Sequence, residues 1–319
     1  MVNSNADNIY YNFVVRNEQP GDTIINLEFD ENRVQPIVSE PWKYEIAVER
    51  LKIPLTSIPI FLWENDLFYV KMVYDATEIT KVVQFVDNGG SPYGDAVYSY
   101  EEWLTIVNTA LTECFNDLKA AEPGMPPSES PFITLDPVSN LCIWNVEQSY
   151  NTPGDETKVF LNQNLYFKFY SWESIATDFG GQTWYELPTK DNFNNSNTIN
   201  GLPYYSTYQE FPVLASLNDF QSVIFETDMP LNYEYLPAQT NDVRTVLTDF
   251  LPIDEIQDRQ TLQYYPQGPL RYYDILSKVP LRRLKLNAYW LNREGKRFPF
   301  YLTRSDVFSM KIVFKRKYV

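Results

Sequence analysis

The sequence predicts an all-β fold of antiparallel strands, and three observations carry the prediction. Aromatic residues make up 16% of the chain, with 24 Tyr and 20 Phe, and such rings favour pleated, half-buried surfaces. Proline outnumbers glycine, 22 to 11, which suits rigid connections between short strands better than long helices. Apolar residues also recur at every second position over several short stretches, the period of a strand with one buried face.

Taken in order, Ile9 to Val15, Thr23 to Phe29, Lys43 to Ile53, Leu67 to Tyr74 and Ile79 to Val86 are rich in branched and aromatic residues. QPGD, Pro36, Pro41, Pro54 and Pro59 punctuate them, so these segments read as strands of a sandwich. One helix interrupts the series. Ser99-Tyr100-Glu101-Glu102 is a capping box, and Trp103, Val107, Ala110, Leu111, Cys114 and Leu118 follow at helical spacing before Pro123. EPGMPPSESP then reads as a Pro-rich linker, with strands at Phe132 to Leu135 and Leu141 to Val146. Residues 150–210 read as polar and aromatic loops, and the Asn and Gly density of DNFNNSNTING argues for exposed turns. The expected organisation is one domain over 1–319, with 88–210 an insertion or a set of elaborated loops.

Strand signals return at Ser222 to Thr227 and are clearest near the C-terminus. Leu284, Leu286, Ala288 and Trp290 alternate with Arg283, Lys285, Asn287 and Tyr289. Asn292-Arg293-Glu294-Gly295 makes a turn and Phe298, Phe300 and Leu302 follow; Phe308, Met310, Ile312 and Phe314 then repeat the pattern. The register places Leu286, Trp290, Phe300 and Ile312 inward.

Charge divides the chain. Residues 281–319 hold eleven Lys and Arg against two Asp and Glu, a net of +9; residues 1–280 hold fifteen against forty, a net of −25. Alternation alone can put cations on the solvent face of strands, where Lys also discourages sheet-to-sheet pairing. The functional alternative is that Arg282, Arg283, Lys285, Lys311, Lys315, Arg316 and Lys317 meet an acidic surface on a neighbouring subunit. Nucleic acid is a poor main partner, since the acidic remainder would repel phosphates.

Composition also removes several chemistries. The chain has no His, which takes away Ser-His and Cys-His nucleophile activation and the HExxH zinc motif. Cys114 and Cys142 are the only cysteines, too few for a disulfide scaffold, and read as buried reduced thiols. No phosphate-binding or dinucleotide-binding glycine motif occurs; Asp87-Asn88-Gly89-Gly90 with Asp95 reads as a tight polar loop, and the sequon Asn194-Asn195-Ser196 as a chance match. The N-terminus lacks a secretory pattern and no apolar run is long enough to span a bilayer. No cofactor, metal site or enzymatic activity is expected, although paired carboxylates can run glycoside hydrolysis without His and nothing singles out one pair among the 42 acidic residues.

The run DRQTLQYYPQGPLRYYDILSKVPLRRLKLNAYWLNREGKRFPFYLTRSDVFSMKIVFKRK resembles the C-terminal end of the penton, or minor capsid, proteins of virophages and of polinton-like and adintovirus-like DNA viruses. The positions that carry the likeness are Pro269-Leu270-Arg271, Trp290, Glu294-Gly295, Phe300 to Leu302 and Lys311 to Phe314. WLTIVNTALTECFNDLK followed by SPFITLDPVSNLCIWNV is a second echo, and together they cover about half of the chain. The resemblance implies a single jelly roll that forms homopentamers at the vertices of an icosahedral capsid, beside a double-jelly-roll major capsid protein. It also implies a virion location after synthesis in the host cytoplasm. Two other readings stand beside it. A carbohydrate-binding sandwich would use Tyr204, Tyr205, Tyr208, Trp172 and Trp184 for stacking, and a glycosidase would need two carboxyls ~5–9 Å apart in a cleft.

Overall fold

The computed structural model describes residues 7–21, 23–63, 67–85, 92–94, 96–190, 196–213, 217–231, 234–235, 243–251 and 261–317. The chain divides into two compact units, residues 1–58 with 219–319, and residues 59–218.

The first unit is built on eight strands: β1 (Asn8–Arg16), β2 (Glu28–Asn32), β3 (Tyr44–Pro54), β4 (Phe220–Thr227), β5 (Val246–Phe250), β6 (Thr261–Tyr264), β7 (Arg283–Asn292) and β8 (Val307–Arg316). They form two antiparallel sheets, β1-β8-β3-β6 and β2-β7-β4-β5, with Tyr273–Asp274 continuing β6 along β3. Eight strands paired in this order are a jelly roll. Aromatic side chains join the two sheets. Phe13 of β1 stacks on Phe29 of β2 at 4.7 Å, Phe225 of β4 lies 5.4 Å from Phe308 of β8, and Phe250 of β5 lies 4.7 Å from Tyr264 of β6.

The C-terminal strands follow the expected alternation. Leu284, Leu286, Ala288 and Trp290 of β7 are buried, as are Phe308, Met310, Ile312 and Phe314 of β8, with Phe300 and Leu302 between them. The Leu, Ile, Met and Phe side chains among them each contribute roughly 1.5–3 kcal/mol through the apolar surface they remove from water. In the turn after β7, Gly295 takes φ 77°, and Asn292 Oδ1 accepts from the backbone N–H groups of Glu294 (3.1 Å) and Lys296 (2.7 Å).

The second unit lies in the chain between β3 and β4. Its helix, Tyr100–Ala121, starts where the capping box puts it: Ser99 Oγ accepts from Glu102 N at 3.1 Å. The Glu102 carboxylate closes back on Tyr98 N at 2.8 Å, one residue earlier than a reciprocal box would have it. Trp103, Leu104, Val107, Ala110, Leu111, Cys114, Phe115 and Leu118 form its buried stripe. Asn108 ties the helix to the strand Phe132–Leu135, donating to Ile133 O at 2.9 Å and accepting from Ile133 N at 2.8 Å. One core cluster runs from Ile60 to Leu217 and stays within this unit.

Here the structure corrects the reading of residues 150–210 as loops. Thr157–Asn162, Ile175–Phe179, Gln182–Leu187, Ser196–Ile199 and Leu202–Tyr208 are strands. The first three pair with Tyr69–Tyr74 and Thr77–Val82 in a five-stranded sheet, and the last two with Cys142–Glu147 and Phe132–Leu135 in a four-stranded one. At Gly180-Gly181 and Asn200-Gly201 the Asn and Gly signals are turns, and they join hairpins; residues 191–195 of DNFNNSNTING lie outside the described residues. Asn200 and Gly201 take φ 51° and 83°, and Gly180 and Gly181 take 61° and 82°, the paired left-handed geometry of two-residue β-turns. The expected 88–210 segment lies wholly inside this unit, preceded by its strands Tyr69–Tyr74 and Thr77–Val82.

The Pro-rich stretch after the helix is pinned by side chains. Lys119 Nζ donates to Met125 O and, at 3.0 Å, to Pro127 O. The buried Glu147 carboxylate accepts from Ser128 N (2.8 Å), Ser128 Oγ (3.0 Å), Glu129 N (3.0 Å) and Ser149 Oγ (2.6 Å). Burial pushes the carboxyl's pKa up, but these four donors together outweigh it and leave Glu147 below its ordinary value.

Candidate functional site: the basic strands of the first unit

Pairing β7 against β2 sets a basic strand beside an acidic one. The register matches Arg283 with Asn32, Lys285 with Asp30 and Asn287 with Glu28, so each cation faces carboxylates on the diagonal. Arg283 makes a two-pronged contact with Asp30, Nε to Oδ1 at 2.8 Å and Nη2 to Oδ2 at 2.6 Å, and lies 3.8 Å from Asp228. Lys285 Nζ lies 2.8 Å from Glu28. The pairing shifts Asp30, Arg283 and Lys285 toward their charged forms. Hydrogen bonding from Arg283 lowers the Asp30 pKa, and the carboxylates of Asp30 and Glu28 raise those of Arg283 and Lys285. Arg297 extends the ladder, pairing with Glu226 and lying 4.3 Å from the centroid of the Tyr289 ring.

On the other sheet, β8 pairs with β3 across a register shift between Lys311 and Ile312. The shift leaves Glu49 of β3 outside the regular pairs, and Lys311 Nζ sits 2.6 Å from its carboxylate and 4.3 Å from the Tyr10 ring. Lys317 pairs with Asp274. Lys315 rests 4.9 Å over the Tyr272 ring, and Arg282 donates to Val34 O at 2.6 Å. The seven cations singled out in the sequence therefore fall into two groups. Arg283, Lys285, Lys311 and Lys317 hold carboxylates of their own unit, whereas Arg282, Lys315 and Arg316 have no carboxylate within ion-pairing distance among the described residues. Sequence alternation located these residues but could not reveal their pairing, because it depends on which strand lies alongside.

Other chemically active groups are not brought together in a comparable way. Cys114 and Cys142 are buried and free, and desolvation pushes both thiols up to about 12. Of the aromatic residues considered for sugar stacking, Trp172, Trp184 and Tyr204 are buried; Tyr205 is half-buried and Tyr208 exposed. Trp184 with Phe179 instead encloses the buried Lys71 ammonium, at 4.6 and 4.4 Å. An open groove of about 850 Å³ in the second unit is lined by Asp75, Glu122, Asp155, Glu156, Glu186 and Lys158 among others. Several of its polar side chains are engaged locally: Glu122 accepts from Thr77 Oγ1 at 2.6 Å, Asp155 from Tyr74 OH at 3.4 Å, and Lys158 lies 3.5 Å from Glu186. Among the described residues no group of His, Cys, Asp and Glu is arranged to hold a metal ion, and no helix is long and apolar enough to cross a membrane. The Asp87–Gly90 segment, Asp95, and Asn194 and Asn195 of the sequon lie outside the described residues.

A jelly roll with part of its basic strands paired to neighbouring acidic ones belongs with the β-sandwich proteins that viral capsids and lectins share. Comparison with known proteins narrows this class. The family model described as Sputnik minor capsid protein V18/19 matches residues 9–88 and 79–316, and the chain belongs to that family. Structural protein V19 of Sputnik virophage is 23% identical over 177 residues, covering 50% of this chain and 81% of V19. The uncharacterized protein V18 of the same virophage is 25% identical over 143 residues, covering 36% of this chain and 86% of V18. Among solved structures, a chain of the Sputnik virophage particle superposes with a TM-score of 0.75 at 20% identity, and the mavirus penton protein with 0.70 at 18%. Each alignment spans 98% of this chain and 100% of the other. The fold is thus the all-β sandwich with inserted segments that the sequence predicted, the insertion holding two sheets beside its helix, and the family is one of capsid components of the virion.

Proposed function

We propose that the chain is a penton-like vertex capsomer of an icosahedral DNA virus: one jelly-roll domain carrying residues 59–218 as its insertion, assembled as a homopentamer beside a double-jelly-roll major capsid protein. The observation that carries this reading is the end-to-end likeness in fold to the mavirus penton protein, which includes the inserted unit as well as the sandwich. Membership of a minor capsid family supports it independently. Its task is assembly rather than catalysis, and synthesis is in the host cytoplasm, before incorporation into the virion.

Subunit contacts in this reading draw on the basic C-terminal segment. Within it Arg282, Lys315 and Arg316 are the better candidates, because the charges of Arg283, Lys285, Lys311 and Lys317 already face carboxylates in the same unit. Light scattering of the purified protein tests the proposal. The expected mass is five times the 37.4 kDa subunit, reached alone or with the co-expressed major capsid protein, and lower at high salt because exposed charges are screened beyond ~10 Å at 0.1 M. Lys315→Glu with Arg316→Glu should weaken assembly without unfolding the subunit. A salt-independent dimer that hydrolyses oligosaccharides would overturn the reading.

A further inference from the structure

Four strand edges bound the two large sheets of the first unit, and three of them carry devices that discourage pairing with another chain. The edge beyond β7 is shared by β2, EFDEN, which presents Glu28, Asp30 and Glu31, and by the three-residue strand Arg297–Pro299, which carries a proline. β5 is five residues long, contains Asp249 and meets β4 across a register shift at Phe225/Glu226. β6 is four residues long and is separated from Tyr273–Asp274 by a segment with Pro266 and Pro269. The fourth edge, β1, has none of these. Its nine residues, NIYYNFVVR, include no proline, no carboxylate and no lysine, and they pair with β8 in unbroken register from Asn8↔Lys315 to Arg16↔Val307.

No described strand pairs with the other side of β1. Tyr10 and Val14 on its outer face are each 51% exposed, beside Val307 at 40%, while Ile9, Tyr11 and Val15 on the face toward the second sheet are only half covered. A strand added here would gain main-chain hydrogen bonds along some nine residues and would cover apolar side chains on both faces. Cations lie at both ends, each near an exposed carboxylate of the same chain, Glu18 at one end and Asp7 at the other. Arg16 is exposed at one end; at the other, Lys315 lies opposite Asn8, and Arg316 N donates to Asp7 O at 2.8 Å. None of the three has a carboxylate within ion-pairing distance among the described residues.

We infer that the free edge of β1 is the docking site for a neighbouring copy of this chain, which adds an extended apolar segment flanked by carboxylates. A second copy fits because residues 1–280 carry a net charge of −25, the complement of the cations that bracket the edge. This inference rests on the homo-oligomeric reading above and names the surface it uses.

The test compares wild type with Val14→Lys, a solvent-facing change that places a charge of the kind natural edges use, and with Val14→Thr as a control. Wild type and Val14→Thr should assemble alike, whereas Val14→Lys should associate at least tenfold more weakly with an unchanged melting midpoint. Hydrogen exchange gives a second reading: amides of Asn8–Arg16 should exchange more slowly in the oligomer than in diluted monomer, with the β2 and β5 edges unaltered. If Val14→Lys assembles like wild type, or exchange at β1 does not change on assembly, the edge is not the contact, though the oligomer stands. A wild type that stays monomeric with and without the major capsid protein removes both readings.

Discussion

Trp290 and Trp103 are both fully buried, yet they reach the interior by different routes. Trp290 sits on β7, stacked on Phe298 at 4.5 Å and edge-on to Phe220 at 6.4 Å, rings carried by its own strand neighbours. Trp103 sits on the helix of the second unit, among Phe61 at 5.6 Å, Phe68 at 5.7 Å and Phe169 at 6.0 Å, rings on segments before and after the helix that its own pattern does not name. In the first unit the period of two assigns a side chain to the core before any partner is known. In the second, the helix declares its buried stripe but not what will cover it.

The largest effect should come from breaking the alternation where it is strictest. Leu286→Asp puts an unpaired carboxylate between the two sheets and should abolish soluble expression. Lys285→Ser, one residue along and facing solvent, should leave the fold intact. Equal yields of the two variants would mean that side-chain facing in β7 does not govern the first unit's stability.

Next in size is the helix. Val107 is fully buried and Thr109 is exposed, its hydroxyl donating to Thr105 O at 2.8 Å. Val107→Asp should cost about 3–5 kcal/mol and Thr109→Asp well under 1 kcal/mol. Hydrogen exchange should locate the Val107→Asp damage in residues 59–218 while β7 and β8 keep their protection. Loss of protection spread evenly over the chain would show that the two cores do not respond separately.

These contrasts explain what was legible in the sequence. The alternation in β7 and β8 and the capping box depend on neighbours within a few residues, so local pattern reveals them; the burial of the two cysteines follows from residue type rather than pattern. The central strand Thr157–Asn162 was not legible: it is six residues long, follows a turn at Gly154, and draws its burial from Tyr69–Tyr74 and Gln182–Leu187 on either side. For the candidate site the positions of the cations were legible and their state was not. Lys285 and Lys315 look alike in a strand pattern; pairing gives one Glu28 and the other the face of Tyr272.

Glu147 gives a pH test of how the second unit holds its Pro-rich stretch. A carboxyl whose pKa is lowered in the folded state contributes stability above its unfolded value of ~4.3 and loses it as pH falls through the lowered folded value. Wild type should therefore lose more stability between roughly pH 5 and pH 3 than Glu147→Gln, which should cost about 2 kcal/mol at neutral pH because charge-assisted hydrogen bonds are lost. Parallel stability curves for the two proteins would remove the charge from the account and leave only the shape of the side chain.

The smallest effect sharpens the comparison at the start of the helix. Ser99 Oγ satisfies one of the N–H groups that a helix leaves without an intrahelical partner, and Glu101 and Glu102 place negative charge where the helix dipole favours it. Ser99→Ala should cost about 1 kcal/mol and Ser99→Asp nearly nothing, since an aspartate oxygen can accept the same bond. Denaturant titration of both variants separates a cap from a packing role. An alanine variant as stable as wild type would mean that the buried stripe from Trp103 to Leu118, held by the sheets around it, fixes where the helix begins without help from its first turn.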